Sequence, residues 1–116
     1  MTPKSLARLQ RQQYALKELT RAKHKRKRQA LMKMGGDDLT QCLCECVLNV
    51  IKGNVSLTKT QFKKLKRFKT PLRQLVNKKT SLRKKKTIIE QKGGRLLPNI
   101  ITPIIKALGG SVLGIG

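Results

Sequence analysis

A chain of 116 residues in which 28 Lys/Arg face five Asp/Glu carries a net charge of +23. That length allows one small domain plus arms, and that charge calls for a polyanionic partner such as nucleic acid. With one His, five acids and no Gly-rich phosphate loop ending in Lys-Ser/Thr, no catalytic constellation forms and an enzyme is not expected. Aromatic residues are 3% of the chain, so a large core is not expected either. Marginal stability, with part of the chain ordering only on its partner, is the expectation.

Thr2-Pro3 forms an N-cap and first helical position. The next thirty residues lack Gly and Pro, which predicts one long basic helix to Met34, forming an arm over residues 1–36. Its apolar stripe is thin: Leu6, Leu9, Leu16 and Leu19, interrupted by Gln13. Within the arm, Lys23 to Arg28 is a dense basic cluster suited to nucleic-acid contact, through Lys25, Arg26, Lys27 and Arg28, or to nuclear import. Both uses draw on the same charges, and the sequence leaves both open.

Gly35-Gly36 ends the arm. Asp38 is then the expected N-cap of a helix with Gln41 at its third position. Leu39, Cys42, Leu43, Cys46, Val47, Val50 and Ile51 give that helix a regular apolar face, and Gly53-Asn54 close it. The cysteines at 42, 44 and 46 are odd in number, with no signal peptide ahead of them, which argues against a secreted disulfide framework. Their spacing is tighter than that of zinc motifs and a fourth ligand is missing. Cys42 and Cys46 lie one turn apart on the apolar face, so small core residues are expected, with no metal and no cofactor.

Thr58-x-x-Gln61 is a capping box that opens the basic stretch. From Lys59 to Lys86 there are thirteen Lys/Arg, and no acid occurs between Cys46 and Ile89. Ordinary helices mix signs for i,i+4 pairing; this one needs an external polyanion. Phe62, Leu65, Phe68, Leu72, Leu75 and Val76 recur in steps that suit a helical face. Thr70-Pro71 is expected to start the next helix, and Ser81 a last one stopped by Gly93-Gly94. The result is a small helical bundle over 37–94, with helices Leu39–Lys52, Lys59–Lys69, Pro71–Lys78 and Leu82–Gln91. Expected phosphate contacts are Lys63, Lys64, Lys66, Arg67, Arg73, Lys84, Lys85 and Lys86. Each phosphate neutralised releases condensed counterions, which needs charge and reach more than fixed geometry.

Residues 95–116 form an apolar tail with two basic residues and no acid. Leu97, Ile100, Ile101, Ile104, Ile105 and Leu108 repeat in helical steps, while Pro98 and Pro103 should kink or fray the helix. Such a face is too short to span a bilayer and suits an interfacial membrane helix. It equally suits docking on the bundle, self-association or capsid contact. The end, 109–116, is rich in Gly and expected to be flexible.

The pattern Glu45-Cys-Val-Leu-Asn-Val-Ile-Lys-Gly-Asn-Val-Ser-Leu57, followed by Gln61, Leu65, Phe68-Lys69, Leu72-Arg73, Leu75-Val76, Lys78-Lys79, Ser81-Leu82 and Gln91-Lys-Gly-Gly94, resembles small basic proteins of adintoviruses. These are animal elements of the Polinton (Maverick) type, and the proteins are similar in role to the X (mu) core protein of adenoviruses. The resemblance covers about half the chain. It implies a virion DNA-condensing protein, found in the virion core and host nucleus, whose partner is the double-stranded viral genome. Adenovirus-type protease sites begin with Met, Ile or Leu; Lys33-Met-Gly-Gly36 and Val112-Leu-Gly-Ile-Gly116 both depart there. The expectation is therefore a mainly α, nonenzymatic protein that binds DNA and other polyanions without sequence preference. A membrane-binding or membrane-lytic virion protein, and a ribosomal or nucleolar RNA binder, are the alternatives.

Overall fold

A straight helix from Pro3 to Met34 would measure about 48 Å at 1.5 Å per residue. The computed structural model, which describes residues 3–107, extends only 31 × 29 × 27 Å. The arm therefore folds back on itself. It divides into α1 (Pro3–Arg11), α2 (Gln13–Arg21) and the first part of α3 (Lys25–Ile51). The breaks fall at Gln12 (φ −98°, ψ 9°) and between the extended residues Ala22 and His24. Folding back brings Leu9, Leu16, Leu19 and Met32 into one interior, all buried. The arm expected as one long helix is thus three packed pieces.

Gly36 adopts φ 61°, ψ −157°, a conformation open to glycine at little cost, and kinks α3 where Gly35-Gly36 predicts a break. Beyond the kink, α3 is the central helix. Leu39, Cys42, Leu43, Cys44, Cys46, Val47 and Val50 are all buried, so apolar contacts enclose it on more sides than one face. Its buried polar residues are satisfied locally: Thr40 Oγ1 donates to the Gly36 carbonyl at 3.4 Å, and Asn49 Nδ2 to the Glu45 carbonyl at 2.8 Å. Burial pushes the Cys44 thiol up to about 11. The Cys46 thiol is raised by its hydrogen bond with Cys42 and by burial. Both stay protonated at neutral pH and act as small apolar fillers. Gly53, at φ 77°, follows the helix end.

Next come α4 (Lys59–Lys66) and α5 (Lys69–Val76). The capping box that opens α4 is present in both directions: Gln61 N–H donates to Thr58 Oγ1 at 3.1 Å, and Thr58 N–H to Gln61 Oε1 at 2.9 Å. α5 starts earlier than Thr70-Pro71 predicts, which leaves Pro71 in the first turn, where its missing N–H breaks no helical bond. Ser81 Oγ accepts from Lys84 N–H at 3.2 Å as α6 (Leu82–Ala107) begins.

α6 does not stop at Gly93-Gly94 and runs through Pro98 and Pro103. Each interior glycine costs about 1 kcal/mol relative to Ala, and each interior proline about 3 kcal/mol. Against this, Ile89, Leu96, Leu97, Ile100, Ile101 and Ile104 all become buried, at about 1.5–3 kcal/mol per side chain. Packing wins. The tail face Leu97, Ile100, Ile101 and Ile104 is therefore core, with Ile105 half-buried, on a helix that packs chiefly against α3 and α2. Leu108 and the Gly-rich end lie outside the described residues. No described helix is long and apolar enough to cross a membrane. Residues 3–36 and 95–107 thus pack with the middle segment as one body.

Candidate nucleic-acid interface

Few acids are left to balance the surface. Asp38 receives Arg8 Nε and Arg11 Nη2 on one oxygen, both at 2.9 Å, and Gln12 Nε2 on the other at 2.8 Å. Arg11 above all, then Gln12 and Arg8, hold its carboxyl well below the usual carboxylate range. Asp38 thus ties α1 to α3, which is its role in place of the expected N-cap. Glu45, two turns further along the same face of α3, is bound by Arg8 Nη1 and Ser5 Oγ. Glu18 pairs with Lys27 at 3.3 Å. Three of the five acids are engaged inside the chain.

The cations have the opposite fate. Among the 28, Arg28 is buried and Arg8, Lys17, Lys85 and Lys86 are half-buried; the remaining 23 are exposed. α4 and α5 are short helices that each turn leucines inward, Leu65 on one and Leu72 and Leu75 on the other. What remains outward is Lys63, Lys64, Lys66, Arg67 and Arg73, with Lys59 and Lys69 beside them. Lys66 Nζ stands 4.9 Å from the centroid of the Phe62 ring. Lys84 is exposed at the start of α6, whereas Lys85 and Lys86 are partly covered and have less free reach.

Lys25, Arg26 and Lys27 are exposed in the first turn of α3. Arg28, the fourth of that run, turns inward with 5% exposure. Its Nη1 donates to the carbonyls of Ala22 and Lys23, both at 3.2 Å, and its Nε to that of Glu90 at 3.1 Å. Carbonyls orphaned at the end of α2 are thereby satisfied, and the α2–α3 turn is fastened to α6. The expected phosphate contact at Arg28 does not fit this placement; the residue joins helices.

The fold also gathers cations that the sequence does not show to be neighbours. Lys23, Lys92 and Arg95 line a cleft of about 490 Å³ together with Arg28 and Phe68. Nothing local signals this, because two segments some seventy residues apart supply the charges. Lys59, Lys69, Lys78, Lys79 and Arg83 belong to the same exposed field and are legible from the acid-free run itself.

Such a surface can neutralise phosphates by the dozen. Among the described residues no cluster of His, Cys, Asp or Glu is placed to hold a metal. Compared with known proteins, the chain matches no family model, no curated protein and no solved structure.

Proposed function

We propose that this protein binds and condenses DNA without sequence preference, as a packaging protein in the core of a DNA virus or virus-like element, acting in the virion and the host nucleus. The observation that carries this reading is the distribution of charge: 23 exposed cations, with at least one on each of the six helices. A protein that docks in one groove needs cations on one face. One that bridges and compacts duplexes is served by cations on every element. Full neutralisation of +23 would take up about 12 base pairs per chain, at one charge per ~1.7 Å of duplex. The buried tail supports this reading over a membrane-lytic one, since Ile100, Ile101 and Ile104 would have to leave the core to insert.

Salt dependence of duplex binding is the test. With six to ten phosphates engaged, affinity falls by roughly three to five decades between about 50 and 200 mM salt, whatever the sequence. A shallow slope, a preference for one duplex sequence, or tighter binding to structured RNA than to DNA would count against it.

A further inference from the structure

A groove of about 590 Å³ opens between the C-terminal end of α3 and the α4–α5 pair. Its floor includes Leu65 and Leu72, which are buried. Ile51 and Phe62 form its walls, and they are 50% and 52% exposed. Both belong to apolar stripes whose spacing assigns them to a core, yet about half of each remains exposed, with the Lys66 ammonium over the Phe62 ring. Leu48, 38% exposed, sits one turn before Ile51 and extends the exposed strip. Val50, Leu57, Lys66, Lys69 and Arg73 complete the lining, so its polar side chains are all cations.

We infer that this groove docks an acidic amphipathic segment of a partner protein. Apolar side chains of that segment seat between Ile51 and Phe62, and its carboxylates meet Lys66, Lys69 and Arg73. The lining decides among occupants. Against a nucleobase, Val50, Ile51, Leu57, Leu65 and Leu72 offer no neutral hydrogen-bonding side chain for its polar edges, and Phe62 gives the lining one ring on which a base could stack. A lipid surface would not fill a concave groove. Aliphatic or aromatic anchors satisfy the walls, as in other helix-in-groove complexes. Acids beside those anchors satisfy the rim, because this chain supplies none between Cys46 and Ile89. The inference stands apart from the DNA reading and survives if that reading fails.

The full-length protein, methyl-labelled at Ile, Leu and Val, would be titrated with a synthetic helical peptide of about 14 residues, leucines at i, i+3, i+4 and i+7 and glutamates between. A counterpart with glutamine in place of leucine keeps the charge and removes the anchors. Methyls of Ile51, Leu65 and Leu72 should shift with the leucine peptide alone, and it should bind about tenfold or more tighter than its counterpart, as anchors in a central pocket do. Replacing Ile51→Gln together with Phe62→Gln should abolish that advantage with the helical circular dichroism unchanged. Should the double variant lose helicity, the methyl shifts of the wild type decide. Equal affinity of the two peptides with the groove methyls unmoved would overturn the inference. So would a single-stranded or duplex DNA oligonucleotide that shifts those methyls while the leucine peptide does not.

Discussion

Arg28 lies against Gly94: a Cβ on that glycine would stand 2.9 Å from the Nη1 that donates to Ala22 and Lys23. Gly94→Ala therefore sets two effects against each other. Helix propensity gains about 1 kcal/mol, while a displaced guanidinium forfeits a charge-assisted bond of about 1.5–3 kcal/mol. The second effect is larger, so the variant should be less stable by about 1 kcal/mol, read as a lower Tm. A raised Tm would mean that Arg28 moves aside freely.

Arg28→Ala should cost more, about 3 kcal/mol, because three carbonyls at a buried junction lose their donor together. Its effect on DNA should be small: where the variant remains folded, the salt slope should stay that of the wild type. A slope reduced as much as by a change at Arg26 would show that Arg28 reaches phosphate after all.

Surface cations should behave in the reverse way. Lys63, Lys64 and Arg67 are exposed, so replacing all three with Gln should change stability by only about 0.5 kcal/mol per site or less. The slope of log affinity against log salt should fall by about 0.9 for each phosphate no longer neutralised. Lys85→Gln with Lys86→Gln should lower it less, since both are half-buried. Titrations of one duplex at several salt concentrations measure both, and an unchanged slope in the triple variant would place the DNA elsewhere.

How far the sequence reveals this fold depends on how local each cause is. The Thr58–Gln61 box, the Ser81 cap and the glycine breaks at Gly36 and Gly53 act within a few residues, and all are readable. Gly93-Gly94 looks like a stop, because what overrides it is tertiary: the burial of Ile89, Leu96, Leu97, Ile100, Ile101 and Ile104, with Arg28, more than sixty residues away, packed against both glycines. Asp38 looks like a cap, yet Arg8 and Arg11 claim it from another helix. In the run Lys25 to Arg28, no local feature marks the one cation that turns inward. The stripes predict Phe62 and Ile51 as core by spacing alone, and only the three-dimensional arrangement shows that about half of each remains exposed. Of the interface, the acid-free run is legible; the cleft of Lys23, Lys92 and Arg95 is tertiary and is not.

The tail should behave as core. Ile101 is 1% exposed, so Ile101→Asp puts an unpaired carboxylate among apolar side chains, at about 3 kcal/mol or more. In a body this small, helicity should fall well beyond α6, since α6 packs on α2 and α3. The folded full-length protein should leave dye-loaded anionic vesicles intact. Unchanged circular dichroism in the variant, or prompt leakage by the wild type, would return the tail face to the solvent or the membrane.

Acid should loosen α1 first. The folded Asp38 carboxyl titrates below its unfolded value of about 3.9, so protons favour the unfolded chain. Its contribution is therefore complete at neutral pH, weakens once the pH drops under about 4, and disappears as the folded carboxyl itself protonates. Asp38→Asn removes the pH-dependent part while keeping an acceptor near Arg8 and Arg11. Wild type should exceed this variant in Tm at pH 7, and the gap should close on acidification, with α1 amides the earliest to lose protection from hydrogen exchange. A gap that persists unchanged in acid would assign the α1–α3 attachment to Leu9 and its neighbours and not to the carboxylate.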